Sequence, residues 1–209
     1  MARGRFIVFE GLDGSGTSTQ TERLRAYLSE RGVAVGVTRE PTTGPLGAVI
    51  RQAIEGRISL DPTALALAFA ADRADHLFNP VNGLNRALDD GTWVISDRYV
   101  LSSLAYQALA TDDPLWLTQI NRFAPAPDLT VFLDAPVAVC AARIGGRSGN
   151  DELFHGADTL RRVDAAYRRV LADDKLVGRL VTVDGAVSVD DVARAYRADV
   201  DALIEQSGG

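Results

Sequence analysis

Residues 5–18 read RFIVFEGLDGSGTS, an apolar run followed by a turn that contains three glycines within six residues. The run is β-prone, and the sequence after the turn has helical spacing, with Leu24 and Leu28 on one face. Backbone N–H groups at the start of a helix form a concave site for an anion. This strand–turn–helix stretch therefore predicts a phosphate-binding loop.

The turn matches the phosphate-loop pattern G-x-x-x-x-G-K-[ST] at Gly11, Gly16 and Ser18. We expect its backbone to hold the phosphates of ATP and Ser18 to place its hydroxyl on Mg²⁺. A glycine-rich turn without a ligand is the alternative, and the strand before the turn and the helix after it argue against that alternative. The residues predicted to bind the nucleotide are Gly11, Leu12, Asp13, Gly14, Ser15, Gly16, Thr17, Ser18 and Thr19.

Thr17 stands in the position of the lysine in this pattern. That lysine normally reaches the β- and γ-phosphates. The chain has a single lysine, Lys175, among its 22 basic residues, and it is far from the loop in sequence. We therefore expect an arginine to supply the missing charge.

Apolar strand-like runs alternate with helical patterns along the 209 residues. This alternation predicts an α/β fold with a parallel sheet of about five strands and helices on both faces. We interpret residues 1–209 as a single domain with a small mobile lid near residues 144–156. Strands are predicted at residues 5–10, 33–38, 93–96, 129–133 and 180–183. Helices are predicted at residues 18–31, 45–54, 136–143, 159–172 and 188–204. A long helix also begins at residue 61 and is interrupted at Pro80, and helical segments follow the strand at 93–96 up to residue 124.

The composition excludes several classes of protein. The net charge of −6 argues against a nucleic-acid surface. A single cysteine, Cys140, cannot form an internal disulfide, and with only two histidines in the chain a zinc cluster is not expected. The sequence contains no apolar run near the ~20 residues of a membrane span, and its N-terminus lacks a signal peptide. We expect a cytoplasmic protein that has neither a membrane nor a nucleic acid as a partner.

A second chemical signal follows a later strand. Asp97 ends an apolar run, at the edge of the sheet where α/β proteins bind ligands. Its carboxylate is suited to holding Mg²⁺, and Asp13 in the loop is a second candidate for the shell of the metal. Arg98 follows at once and is able to clamp a phosphate with two hydrogen bonds. The predicted metal site is therefore Ser18, Asp13 and Asp97.

Five segments in this order resemble the thymidylate kinase family over nearly the whole chain. They are FEGLDGSGTSTQ (residues 9–20), TREP (38–41) with the following LG and IR pairs, FAADRADH (69–76), SDRYVLSSLAYQ (96–107) and RIGGRSGNDELF (143–154). The resemblance implies a fold like that of P-loop nucleoside monophosphate kinases. It also implies Mg²⁺-dependent transfer of a phosphoryl group from ATP to dTMP, and a homodimer packed through helices.

The resemblance also implies an acceptor site. In the family the arginine at Arg98 contacts the acceptor phosphate, and Arg51, with Arg39 less firmly, joins it. Phe69 and Arg73 lie four residues apart on one helical face, which suits a ring stacked on thymine and a guanidinium at a carbonyl oxygen. The family's contacts to the base and sugar fall on Ser102, Tyr106 and Gln107.

The last segment has the composition of a mobile lid. Arg143 and Arg147 flank two glycines, so the loop is able to close over ATP and exclude water. One subgroup of the family has a catalytic arginine inside the phosphate loop, and the other has a glycine there and a basic lid. Gly14 in that position places this chain with the second subgroup. We predict that Arg147, assisted by Arg143, stabilises the transferring phosphoryl group, with Arg98 and Asp13 also in the catalytic set.

Two alternatives stay open at the level of sequence. The acceptor is another nucleoside monophosphate, or the chain binds nucleotides without efficient transfer because of Thr17. A guanine-nucleotide switch does not fit, because guanine recognition commonly uses Asn-Lys-x-Asp and the single lysine here follows Asp174.

Overall fold

The computed structural model describes residues 2–111, 113–146, 156–172 and 177–207. Strands and helices alternate along the chain, as the sequence predicts. The strands are β1 (Phe6–Gly11), β2 (Val35–Arg39), β3 (Trp93–Asp97), β4 (Leu129–Asp134) and β5 (Leu180–Asp184). The helices are α1 (Thr17–Glu30), α2 (Pro45–Ile54), α3 (Pro62–Phe78), α4 (Leu84–Asp89), α5 (Val100–Tyr106), α6 (Ala108–Thr111), α7 (Pro114–Ile120), α8 (Val137–Gly145), α9 (Ala157–Val170) and α10 (Val189–Ser207).

The five strands form one parallel sheet in the order β2-β3-β1-β4-β5. The register aligns the carboxyl ends of three neighbouring strands, because Phe9 and Arg39 both pair with Asp97. The loop that follows β1 therefore opens beside the ends of β2 and β3. Ligands bind at this edge in open α/β sheets.

Helices cover both faces of the sheet, and β1 illustrates how. Ile7 and Phe9 pack with Leu24 of α1 and with the apolar face of α10. Phe6 and Val8 point to the opposite face and pack with residues of α3, α4, α5 and α7. Because side chains alternate along a strand, a strand that is apolar at every position has both faces covered. This arrangement fixes β1, and with it the loop that follows.

The long helix α3 begins and ends where the sequence predicts. The Asp61 side chain accepts a hydrogen bond from the N–H of Thr63, and Pro62 occupies the first turn, where no intrahelical N–H partner is needed. The helix ends at Phe78, two residues before Pro80, and α4 starts afresh at Leu84. The predicted interruption is therefore observed.

Two further details of the helices bear on packing. Ser207 ends α10, and its Oγ lies 2.9 Å from the carbonyl oxygen of Leu203. Leu46, Val49 and Ile50 lie three and four residues apart in α2 and share one face of that helix. Ile50 is buried, whereas Leu46 and Val49 are about two-fifths exposed, at 41% and 43%.

The predicted lid falls largely outside the described residues. Helix α8 ends at Gly145 and α9 begins at Ala157, so Arg147 and its neighbours at 148–155 lie in the part of the chain that the structure does not describe. Among the helices that it does describe, none combines the length and apolarity that crossing a membrane requires.

Candidate active site

The loop between β1 and α1 depends on two glycines with positive φ. Gly16 caps α1 with φ +106°, and Gly14 has φ +83°. A Cβ atom on Gly14 would lie 2.6 Å from the carbonyl oxygen of Cys140 in α8, whereas a Cβ on Gly16 would meet nothing within 4 Å. The first amides of α1 have no carbonyl one turn earlier, so they are available to an anion.

Ser18 and Asp97 meet at the carboxyl edge of the sheet. The Ser18 hydroxyl donates a hydrogen bond to Oδ2 of Asp97, while Oδ1 of Asp97 is buried without a hydrogen-bond partner among the described residues. An unpaired carboxylate oxygen beside a hydroxyl suits a small cation that prefers oxygen ligands. The described residues contain no cluster of three or more carboxylates, histidines or cysteines, so phosphate and water oxygens would complete the shell.

Arg98 connects the loop with the cavity beside it. Its Nη2 donates to Oδ1 of Asp13 at 2.5 Å, and its Nη1 lies 2.9 Å from the carbonyl oxygen of Gly11 and 3.0 Å from Oγ of Ser102. Arg98 directly follows Asp97 in the chain and has a positive φ of 73°, which a non-glycine residue rarely adopts. Burial lowers the pKa of Arg98, but the surrounding Tyr106, Asp13, Tyr167 and Asp97 raise it overall, so the guanidinium stays charged.

Glu10 is a buried carboxylate behind this arginine. Its Oε1 accepts hydrogen bonds from the N–H groups of Tyr99 and Ser102, at 2.9 and 3.2 Å. Its Oε2 accepts from the hydroxyls of Ser102 and Tyr167, at 2.6 and 3.0 Å. Burial raises the pKa of Glu10, although the Ser102 hydroxyl and the Arg98 charge oppose that rise. This carboxylate thus fixes the first turn of α5 and one residue of α9.

A cavity of about 330 Å³ opens next to Ser18 and Asp97. Every residue that the sequence predicts for the acceptor site and for the metal site lines this cavity, together with several others. Its lining is Asp13, Ser18, Arg39, Glu40, Pro41, Arg51, Ile54, Glu55, Phe69, Arg73, Asp97, Arg98, Tyr99, Ser102, Ser103, Tyr106 and Gln107.

The inner end of this cavity is held by Arg73. Its guanidinium is 1% exposed and forms an ion pair with Glu40, at 2.6 Å between Nη2 and Oε2. Nη2 also donates to the carbonyl oxygen of Tyr99 and to Oγ of Ser103, and Nη1 donates to Asn121. Nη1 carries two N–H groups, so one of them is not used by the bond to Asn121, and Arg73 is among the residues that line the cavity.

Glu40 connects β2 to helix α3. One oxygen pairs with Arg73, and the other lies 3.0 Å from Nδ1 of His76, whose Nε2 lies 2.7 Å from Oγ1 of Thr38. The neighbouring Asp72 accepts hydrogen bonds from both the N–H and the hydroxyl of Thr42. Residues 38–42 are therefore fastened to α3, and with them one wall of the cavity.

The opposite wall carries polar groups that face the cavity. The Tyr106 hydroxyl accepts a hydrogen bond from the N–H of Asp13 at 3.0 Å, so it joins this wall to the loop. Gln107 is buried, and its Oε1 has no partner among the described residues. Phe69 is half-buried across the cavity and packs against the cluster formed by Ile50, Ala53 and Leu65.

Three further arginines differ in their engagement. Nη1 of Arg51 donates to the carbonyl oxygens of Pro41 and Thr42. Arg143 lies in α8, and its Nη1 donates to three carbonyl oxygens: those of Gly14 and Ser15 at 3.3 Å and that of Gly185 at 2.9 Å. Arg143 thus braces the rear of the loop instead of facing the cavity, and it is absent from the cavity lining. Arg39 is exposed at the end of β2.

Sequence reasoning missed the residues behind the cavity. Glu10 and Glu40 lie inside the quoted segments 9–20 and 38–41 but were given no role there, and Tyr167 and Asn121 lie outside every quoted segment. For Glu10 a signal exists, because a carboxylate at the end of an apolar strand is costly unless it is hydrogen-bonded. The other three depend on contacts between distant parts of the chain.

Comparisons with known proteins agree with this geometry. The family model described as thymidylate kinase matches residues 9–195. The chain is 38% identical over 211 residues to a probable thymidylate kinase of Thermococcus gammatolerans, covering 97% of each chain. It is 37% identical over 213 residues to a thymidylate kinase of Bifidobacterium longum subsp. infantis, covering 98% of this chain and 89% of that one.

The fold is also similar to that of a solved thymidylate kinase. A solved structure of thymidylate kinase from Candida albicans superposes with a TM-score of 0.79 at 24% identity, covering 97% of this chain and 93% of that one. The predicted α/β fold with a five-stranded parallel sheet is confirmed. The resemblance noted in the motifs is confirmed as well, and the chain belongs to the thymidylate kinase family.

Proposed function

We propose that the protein transfers the γ-phosphoryl group of ATP to dTMP and releases ADP and dTDP. Its membership of the thymidylate kinase family supports this reaction. The observation that carries the proposal is the cavity of about 330 Å³, because it joins the phosphate loop to a set of acceptor-type residues at one edge of the sheet.

The donor is held by the loop and by the start of α1. The amide of Ser15 donates to the carbonyl oxygen of Leu12, so the amides at the start of α1 are the ones that offer their partial positive charge to the β- and γ-phosphates. Ser18 and Asp97 would hold Mg²⁺, and the ion would neutralise charge on the donor phosphates. Asp13 is already paired with Arg98, so it would be a weaker direct ligand than Asp97.

The acceptor phosphate is bound by arginines. Arg98 and Arg51 both line the cavity, and Arg98 is held in place by Asp13 and Ser102. A guanidinium offers two parallel hydrogen bonds to a phosphate, which fixes the orientation of the attacking oxygen. That oxygen is anionic, so no strong general base is needed.

The base and sugar occupy the rest of the cavity. Phe69 offers a ring face for a pyrimidine, and Arg73 offers the second N–H of Nη1 to a carbonyl oxygen of the base. The Tyr106 and Gln107 side chains lie on the sugar side. Burial raises the pKa of Tyr106 above its ordinary value, so its hydroxyl stays neutral beside the substrate.

We assign Arg143 a positioning role. Its three bonds to carbonyl oxygens join the loop to α8 and to the turn after β5. Arg147, predicted to act from the lid, lies outside the described residues, and its contribution stays a prediction. The cytoplasmic location expected from the N-terminal sequence also stays a prediction.

We further propose that the protein acts as a homodimer packed through α2 and α3. These helices pack against each other, with Ile50 and Leu65 in their shared cluster. On their solvent side Leu46, Val49 and Leu67 are between 41% and 48% exposed. Exposed leucine and valine side chains on adjacent helices favour burial against a second copy.

An acceptor panel tests the reaction. Release of ADP is measured with ATP, Mg²⁺ and, in turn, dTMP, dUMP, dCMP, AMP and GMP, with a control that lacks an acceptor. We expect dTMP to be turned over selectively. Equal or greater turnover of another monophosphate would reassign the acceptor, and binding of dTMP without turnover of any acceptor would favour a nucleotide-binding protein.

A further inference from the structure

A histidine lies behind the wall of the cavity that Glu40 and Arg73 form. His76 is not among the residues that line this cavity. It lines a second cavity of about 440 Å³ instead, together with Thr38. Its ring joins two residues, because Nδ1 lies 3.0 Å from Oε1 of Glu40 and Nε2 lies 2.7 Å from Oγ1 of Thr38. The proposed reaction gives this ring no task.

The direction of the Arg73 guanidinium is set by Glu40. Oε2 of Glu40 accepts from both Nε and Nη2 of Arg73, at 2.8 and 2.6 Å. Nη2 also donates to the carbonyl oxygen of Tyr99 and to Oγ of Ser103. Nη1 uses one of its two N–H groups for Asn121. The second N–H of Nη1 is thus the group that Arg73 offers to a base, and its direction follows from the plane that Glu40 imposes.

Glu40 in turn depends on His76. Its side chain is 3% exposed, and Oε1 forms no hydrogen bond among the described residues apart from the one with Nδ1 of His76. A carboxylate that is ion-paired with Arg73 accepts hydrogen bonds and does not donate them, so Nδ1 is the donor. Without this donor one buried oxygen would lose its partner, which is costly. Glu40 would then turn that oxygen toward Arg73, and the guanidinium plane would turn with it.

The two pyrimidine bases differ in the group that this N–H would meet. Thymine has a carbonyl oxygen at C4, whereas cytosine has an amino group there, and both have a carbonyl oxygen at C2. An N–H that is fixed opposite C4 pairs with the oxygen of thymine. The same N–H faces a second donor in cytosine, and both groups are then left without an acceptor. Exact placement of Arg73 therefore favours dTMP over dCMP.

We propose that His76 is a positioning residue that sets the preference for dTMP over dCMP, by holding Glu40 and, through it, the N–H of Arg73 that faces C4 of the base. The inference rests on the proposed function, because it takes Arg73 as the residue that contacts the base. It assigns the task to one side of the ring. The bond through Nδ1 to Glu40 supports the selectivity, and the bond through Nε2 to Thr38 does not.

Two substitutions of His76 separate the two bonds of the ring. The amide of an asparagine reaches about as far as Nδ1, so His76→Asn keeps a donor for Glu40 and gives up the bond to Thr38. The amide of a glutamine reaches about as far as Nε2, so His76→Gln does the reverse. Both variants lose the imidazole ring, so the loss of packing is common to them.

Selectivity is measured by binding, as the dissociation constant of dCMP divided by that of dTMP. Calorimetry gives the value for dTMP directly and the value for dCMP by competition with dTMP. We expect His76→Gln to lower this ratio about tenfold, the lower end of what a hydrogen bond to a charged group contributes. His76→Asn is expected to keep the ratio within about threefold.

A double variant tests whether His76 acts through Glu40. Glu40→Gln keeps the size of the side chain and removes its charge, so Arg73 loses its ion pair. In the Glu40→Gln background, we expect His76→Gln to change the ratio by less than about twofold, because the two residues act as a unit. The comparison of His76→Asn with His76→Gln does not depend on this background.

The outcomes are distinct. An unchanged ratio in His76→Gln, an equal loss in both variants, or a loss confined to His76→Asn would each overturn the inference. Turnover of dTMP by the unsubstituted chain tests the proposed function separately. If that chain binds dTMP selectively without turning it over, the proposed function fails, while the ratios still decide the inference. If it shows no preference for dTMP over dCMP, the inference fails.

Discussion

Glu10 shows how a single buried charge supports the site without touching a substrate. Its carboxylate holds the first turn of α5 through the amides of Tyr99 and Ser102, and it also binds the Tyr167 hydroxyl of α9. Arg98 and Ser102, which line the cavity, are thereby fixed relative to β1. The side chain is fully buried, so the cost of its charge is set against these three hydrogen bonds and a fourth from the Ser102 hydroxyl.

The titration of Glu10 gives a prediction about stability. Burial raises the pKa of Glu10 in the folded protein above its ordinary value of 4.5. The folded state then holds the proton more tightly than the unfolded state. The contribution of Glu10 to the free energy of unfolding is therefore fully present below pH 4.5 and is lost as the pH rises through the folded pKa.

Glu10→Gln removes this titration. We expect the stability of the unsubstituted chain relative to this variant to fall as the pH rises above 4.5, by about 1.4 kcal/mol for each unit of raised pKa. Urea unfolding at several pH values measures the difference. Glu205→Gln, on the exposed end of α10, is the control. A relative stability that does not change with pH would contradict the assigned direction of the shift.

At the scale of elements, the contact between the phosphate loop and α8 determines the shape of the anion site. Gly14 lies against the backbone of Cys140, and Arg143 from the same helix donates to the carbonyl oxygens of Gly14 and Ser15. The subgroup of the family with a loop arginine places it where Gly14 stands here. The close approach of α8 leaves no room for a side chain at that position.

Two glycine substitutions separate crowding from conformational strain. Gly14→Ala and Gly16→Ala both place a Cβ atom on a residue with positive φ, but Gly14 alone of the two would press it against Cys140. We expect Gly14→Ala to lower the free energy of unfolding by about 1–3 kcal/mol more than Gly16→Ala, the usual cost of overpacking. Denaturant unfolding compares them. Equal losses would show that α8 yields to the extra methyl group.

The sequence predicted the elements better than their contacts. Each strand of the sheet corresponds to an apolar run bounded by turn residues, and the alternation of strands and helices along the chain predicts a parallel sheet covered by helices. Motif residues such as Arg98 and Phe69 were found because their spacing repeats a known pattern. The contacts of Glu40, which lies in the TREP segment, and of Tyr167 could not be predicted, since their partners lie 33 to 157 residues away and are known once the helices are packed.

At the scale of the whole molecule, the helical pattern of α2 does not show what covers its apolar residues. Leu46 and Val49 share the apolar character of Ile50, but they face solvent in the single chain. A periodic pattern identifies an apolar face and does not say whether the face is covered by its own chain or by another. Ile50 is covered by its own chain, and the proposed second copy against α2 and α3 would cover Leu46 and Val49.

The proposed dimer gives a prediction about mass. Leu67 on α3 is 48% exposed, and a carboxylate there would be buried unpaired in the interface. We expect Leu67→Glu to convert the dimer to a monomer in light scattering, with the fold retained. Leu115→Glu, at a leucine of α7 that is 77% exposed, is the matched control and is expected to stay dimeric. A monomeric unsubstituted chain would contradict the dimer.

We expect the chain to phosphorylate dTMP although Thr17 replaces the loop lysine. The most direct test is ³¹P spectroscopy of the unsubstituted protein with ATP, Mg²⁺ and dTMP. We predict that ADP and dTDP appear together in equal amounts. Release of ADP without dTDP, or no change in the phosphorus signals while dTMP is bound, would contradict it.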